Sequence, residues 1–124
     1  MLLYQRESEL ILNAFFEVNK YLTYGLTEKV YERALVYELR QRDLDVVEQQ
    51  PLAVNYKGMV IGDFKADVMV EGKIILELKA QHSIIGENIA QLINYLTITG
   101  FSLGYILNFG HDKDYKRVIN SHYK

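Results

Sequence analysis

Ile74-Ile75-Leu76-Glu77-Leu78-Lys79-Ala80 is an apolar run that carries a carboxylate and an ammonium two residues apart. Side chains on a strand alternate between faces, so Ile75, Glu77 and Lys79 share one side while Ile74, Leu76 and Leu78 line the other. Both charges therefore point into one space. The apolar flanks on both faces predict that this space is buried, where an unpaired charge is costly. Ten residues before Glu77, Asp67 sits in a second strand-like run, Ala66-Asp67-Val68-Met69-Val70, and Glu71-Gly72-Lys73 joins the two runs. A three-residue loop with Gly72 or its neighbour in the left-handed conformation pairs Val70 with Ile74 and sets Asp67 opposite Glu77. Two adjacent carboxylates beside a lysine point to a divalent metal site.

Upstream, Leu10, Ile11, Ala14, Phe15, Val18 and Leu22 recur at helical spacing and predict an amphipathic helix from about Glu7 to Tyr21. Gly25 breaks it and Thr27 is a candidate N-cap. A second helix is predicted from about Glu28 to Arg42, with Tyr31, Leu35 and Leu39 along one face and Glu28 extending that stripe. From Val46 the pattern turns to strands: Val46 to Tyr56, Met59 to Val70 after a turn at Lys57-Gly58, and Lys73 to Ala80, an antiparallel meander. Gly86 precedes a helix over about Asn88 to Thr99, in which Ile89, Leu92, Ile93 and Leu96 are apolar and Gly100 marks the stop. The continuous apolar run from Leu103 to Phe109 reads as a strand buried on both faces. After a turn, Tyr115 to Ile119 reads as a last strand. The predicted class is α/β, with a mixed four- to five-stranded sheet flanked by helices.

The chain has 124 residues, 49% of them hydrophobic and 24% charged, which suits one domain over 1–124 with one core. No uninterrupted apolar stretch of about 18 residues exists, and the first residues lack the basic-then-apolar layout of a signal peptide. A soluble cytoplasmic protein is expected, with no membrane partner. The absence of cysteine excludes disulfides, thiolate metal sites and thiol nucleophiles, so a metal here is held by oxygen or imidazole. A net charge of −2 announces no global basic field. That weighs against a DNA-coating role but not against a nuclease, because acidic metal ligands depress the net charge while a local basic patch contacts phosphate.

The predicted order gathers Glu28 on a helix, Asp67 and Glu77-x-Lys79 on adjacent strands, and Gln91 and Tyr95 one turn apart on the following helix. This pattern resembles the PD-(D/E)XK nuclease superfamily, in which an acidic residue and an E-x-K triplet occupy neighbouring strands of a mixed sheet. Gln91-x-x-x-Tyr95 resembles its RecB-type exonuclease branch. Gly25-Leu26-Thr27-Glu28-Lys29-Val30-Tyr31 fits the pattern that names the GxxExxY proteins, small prokaryotic proteins assigned to this superfamily. Ala34-Leu35, the segment Gly62 to Asp67, Glu77-Leu78-Lys79, Gln91 to Leu96 and Asn108-Phe109-Gly110 also resemble that group, so the likeness spans about residues 10 to 119. The first motif reads Ala66-Asp67, without the proline of the superfamily's name, as in many relatives. The resemblance implies a restriction-endonuclease-like core.

The residue types by themselves suit metal-assisted hydrolysis, and the resemblance implies a nuclease acting on DNA phosphodiester bonds. Mg²⁺, or Mn²⁺ in its place, is satisfied by one or two carboxylates, water and substrate phosphate. Asp67 and Glu77 supply the carboxylates. Glu28 adds a contact either directly or through water, or else serves only the helix dipole in the first turn. The resemblance implies the backbone carbonyl of Leu78 as a further ligand and Gln91 and Tyr95 as substrate-orienting residues. Lys79 is read as holding the attacking water and stabilising charge on the phosphate.

Other polar residues have plainer readings. Asp63, beside Gly62, is read as a solvent or turn residue, and Glu32 and Glu38 as exposed or salt-bridged helix positions. His82, His111 and His122 show no spacing that suits a zinc site and are read as loop or surface residues. The ten tyrosines are read as amphipathic core edges in preference to base-stacking platforms. Lys113, Lys116, Arg117 and Lys124 make the C-terminal end basic, as a phosphate-contacting rim or a solvated face. Phe15, Phe16 and Val18 exceed one narrow apolar stripe and leave room for a homodimer. Two rival functions remain: a catalytically silent nucleic-acid-binding or protein-interaction module on the same fold, and hydrolysis of another phosphate ester. The second lacks a glycine-rich phosphate loop.

Overall fold

Eight elements form in the order that the patterning predicts. In the computed structural model, which describes residues 2–120, they are α1 (Gln5–Tyr21), α2 (Glu28–Gln41), β1 (Val46–Tyr56), β2 (Met59–Val70), β3 (Ile74–Lys79), α3 (Gly86–Thr99), β4 (Leu103–Asn108) and β5 (Asp114–Ile119). His122 and Lys124 lie outside the described residues. Helix α3 begins at Gly86, ahead of the expected Asn88, because the Asn88 Oδ1 accepts the Ile85 N–H at 2.9 Å and starts the helix two residues early. Strand β3 is a residue shorter at each end than expected, since Lys73 belongs to the turn.

The strands lie in the order β1-β2-β3-β4-β5, with β3 and β4 parallel and every other pair antiparallel. The β2–β3 hairpin has the expected register, Val70 opposite Ile74, with both Glu71 (φ 55°) and Gly72 (φ 65°) in the left-handed region. Helices α1 and α2 cover one face of the sheet, where Ile74, Leu76 and Leu78 join Phe15, Tyr31 and Leu39 in one core. Helix α3 covers the other face, packing Leu92 and Leu96 on Ile75 and Ile106. Strand β4 is buried along its whole length, as its unbroken apolar run requires. Of the three α1 residues behind the homodimer expectation, Phe15 and Val18 are buried and Phe16, 50% exposed, faces solvent.

Two local devices position the edge of the sheet where β3 ends. Tyr31 is fully buried, stacks on Phe109 with centroids 5.0 Å apart, donates its hydroxyl to the Thr23 carbonyl at 2.5 Å and accepts the Leu26 N–H at 3.2 Å. It thereby staples the α1–α2 loop and fixes where Glu28 begins the next helix. Thr27 holds the predicted N-cap position through its backbone carbonyl alone, with no side-chain cap bond. Beyond β4, Gly110 passes so close to the chain after β3 that an added Cβ would meet the Gln81 carbonyl oxygen at 1.7 Å. Backbone cannot retreat as a flexible side chain can. Gly110→Ala is therefore expected to destabilise the protein by about 3 kcal/mol. Gly86→Ala, whose Cβ meets open space, should stay within about 0.5 kcal/mol in urea unfolding.

Candidate active site

Strands β2 and β3 are paired only at Val70–Ile74, Met69–Ile75 and Val68–Leu76. At the next position the ladder stops and the side chains of Asp67 and Glu77 take over its hydrogen bonding. Asp67 Oδ2 accepts the Leu78 N–H at 2.8 Å, and Glu77 Oε2 accepts the Asp67 N–H at 3.4 Å. Peptide donors left without a partner inside a fold cost roughly 1–3 kcal/mol each, so the carboxylates stand in for missing strand carbonyls. The facing of β2 also changes here. Phe64 and Ala66 pack toward α3, whereas Val68 and Val70, of the same parity, pack toward α1 and α2. Strand β1 makes the same switch opposite: Val46 faces α1 and α2, while Leu52 and Val54 face α3. Between them Gln49 adopts φ 53°, an uncommon conformation for a residue with a side chain.

The fork gathers more carboxyl groups than cations. Glu77 is 8% exposed, and burial followed by the neighbouring Asp67 charge pushes its carboxyl up to about 8. Burial likewise raises the Asp67 carboxyl, against hydrogen bonding from Leu78 and the charge of Lys79. Glu28 reaches the same place from the start of α2. Its side chain accepts a hydrogen bond from the Ala80 backbone, and partial desolvation followed by the Asp67 charge raises its carboxyl. Lys79 attracts all three carboxylates, yet its ammonium closes no ion pair within 4.0 Å with any of them. The structure thus brings Glu28, Asp67, Glu77 and Lys79 together, with Leu78 bonded to Asp67 in their midst.

Two further residues belong to this cluster that no motif marks. Gln49 Nε2 donates to Glu32 Oε1 at 3.0 Å, and the same side chain hydrogen-bonds the Asp67 carboxylate. Glu32, 5% exposed and also bonded to Lys29 at 3.2 Å, is salt-bridged as expected but is not an exposed position. The signal for Gln49 is a backbone twist, which side-chain patterning does not encode. Gln91 and Tyr95 are not hydrogen-bonded to the cluster. Gln91 is exposed, Tyr95 stacks on Phe64 with centroids 3.7 Å apart, and both line an open depression of about 540 Å³ along α3. Asp63 is exposed but paired within β2, so it is a strand residue and not a turn. Arg117 is turned inward, donating to the Leu3 carbonyl at 2.8 Å, which leaves Lys113 and Lys116 as the exposed members of that basic set among the described residues.

The family model of the PD-(D/E)XK nuclease superfamily matches residues 5–118. The chain belongs to this superfamily. No curated protein and no solved structure gives a match. PD-(D/E)XK proteins are usually nucleases and generally use divalent metals. The α/β architecture with its five-stranded mixed sheet is that of the superfamily's restriction-endonuclease-like fold. The donor set fits a hard cation, because the carboxylates of Glu28, Asp67 and Glu77 offer oxygen alone.

In this PD-(D/E)XK site a raised carboxyl pKa makes folding favour the protonated form. The stability linked to Glu77 is therefore complete below its ordinary 4.5 and is lost as pH rises through about 8. The unfolding midpoint of metal-free wild type should fall between those limits. Glu77→Gln, which carries no proton to lose, should show a flatter profile in pH-resolved thermal melts and exceed wild type at the alkaline end.

Proposed function

We propose that this chain is a nuclease that hydrolyses DNA phosphodiester bonds with Mg²⁺ or Mn²⁺, a RecB-type member of the GxxExxY group. One observation carries the reading: buried Glu77, partly buried Asp67 and the more exposed Glu28 share the attraction of one lysine, Lys79, which closes no ion pair with any of them. Such a cluster is costly to fold around and is explained by a charge that arrives later. A divalent ion bound there supplies neutralisation at a phosphate and acidifies water.

Asp67 and Glu77 are the proposed metal ligands, joined by the Leu78 carbonyl and by Glu28. Lys79 is the proposed catalytic cation: it orients the attacking water and stabilises negative charge developing on the phosphate. Gln49 positions Asp67 by donating to it while anchored on Glu32. Gln91 and Tyr95 are proposed to orient DNA, because they line a depression along α3, the helix that covers the sheet face to which Glu77 and Lys79 alternate. Lys113 and Lys116 offer exposed phosphate contacts.

Cleavage of labelled single- and double-stranded DNA with Mg²⁺ or Mn²⁺ tests this. Asp67→Ala and Lys79→Ala should each lower the rate by about 10²–10³ or more while DNA binding survives. Mg²⁺ should raise the unfolding midpoint of wild type at pH 8 and not that of Asp67→Ala. No cutting by wild type and no midpoint shift with metal would instead favour the catalytically silent module. Gln49→Ala, which removes the positioning amide but no ligand, should slow cleavage about 10–100-fold.

A further inference from the structure

His82 and His111 stand 29 positions apart in sequence, on the loops that leave the parallel strands β3 and β4. The structure sets them face to face, their rings 4.6 Å apart and inclined by 16°. Asp112 lies against both. Its Oδ1 is 2.9 Å from His111 Nδ1, and its Oδ2 is 3.7 Å from His82 Nε2. One ligand atom from each of the three side chains lies within 4.8 Å of the others.

We propose that His82, His111 and Asp112 form a second metal site, distinct from the carboxylate cluster, that takes a first-row transition-metal ion such as Zn²⁺. Tetrahedral Zn²⁺ with bonds of about 2.0–2.1 Å places its ligand atoms about 3.3 Å apart. The carboxylate lies between the two imidazoles, Oδ1 2.9 Å from His111 and Oδ2 3.7 Å from His82, so a modest rotation of the three side chains is what separates the present arrangement from that spacing. The sequence reading of these histidines as surface loop residues holds, since all three groups are exposed. What sequence spacing did not reveal is that two loops converge.

The convergence is built, not incidental to exposed rotamers. Asn108, fully buried, accepts the Gln81 N–H at 3.1 Å and donates its amide to the carbonyls of Gln81 and Asp112, each at 3.0 Å. The Asp112 N–H donates to the His82 carbonyl at 2.7 Å. Gly110 permits the backbone contact beneath. With both loops pinned by main-chain bonds, gathering the donors requires only side-chain rotation, so little ordering entropy opposes binding.

Donor chemistry separates the two sites. Two imidazoles and one carboxylate suit Zn²⁺, Ni²⁺ or Cu²⁺, whereas an all-oxygen set suits Mg²⁺ or Mn²⁺. Three protein ligands leave a coordination position open to water or an exogenous anion. The proposal stands independently of nuclease activity.

The test is Zn²⁺ binding to the full chain without a polyhistidine tag, read by competition with a chromophoric chelator in excess Mg²⁺. Wild type should bind one equivalent. His82→Ala and His111→Ala should each weaken it by at least about 10-fold, while Asp67→Ala leaves it unchanged. Both histidines are exposed, so circular dichroism and urea midpoints of these variants should match wild type. Failure of wild type to bind Zn²⁺, equal affinity in the histidine variants, or loss confined to Asp67→Ala would overturn the proposal. None of these readouts depends on DNA cleavage.

Discussion

Where β2 and β3 part company, backbone donors are stranded inside the protein, and that constraint organises the site. A sheet normally answers each buried N–H with a carbonyl from the next strand. Beyond Val68–Leu76 no such carbonyl is available, and the carboxylates of Asp67 and Glu77 accept in its place. The fork is thus held open and chemically satisfied by the same two groups. Each spends hydrogen-bonding capacity on structure, which fixes the two carboxylates beside one another.

The surrounding elements manage the charge this arrangement concentrates. Glu28 enters at the start of α2, whose position depends on Tyr31 wedged against Phe109 and bonded to the preceding loop. Gln49, in a left-handed conformation within a strand, turns its amide toward Asp67 and Glu32 together. That conformation costs on the order of 1–3 kcal/mol and clusters at functional sites in general. Lys79 sits at the end of β3, where the Phe109 N–H donates to its carbonyl at 2.8 Å and ties the neighbouring parallel strand beside it. Burial and mutual repulsion raise the carboxyls, so the metal-free protein is stressed at this edge as pH rises.

The parallel β3–β4 pair makes this edge the natural place for chemistry. Its connection runs through α3, so the loops after both strands emerge on the same side. One set of side chains there is all oxygen with a lysine. The other, three residues beyond Lys79, is imidazole-rich and exposed. Asn108 and Gly110 serve both, because the contacts that close the loops also fix the end of β4 against β3.

Much of this molecule was legible in one dimension. Alternation around Glu77 and Lys79 specified their shared face, and the length of the Glu71-Gly72-Lys73 turn specified that Asp67 meets Glu77. Both follow from the period of a strand and the geometry of a short loop, which are local properties. The helices and strands fell close to their predicted bounds for the same reason. Gln49 escaped because its role arises from a reversal of facing shared by two strands, not from residue pattern. Glu32 escaped because a salt-bridged helix position looks alike whether buried or exposed, and burial is decided by what packs over it. The apolar excess on α1 read from Phe15 and Val18 is taken up within the chain, because both found partners in other elements. Sequence by itself determined the fold class and the carboxylate–lysine pair, since these rest on local periodicity. Tertiary structure alone decided how three carboxylates share one lysine and how two distant histidines meet, because convergence of separate segments is a property of packing.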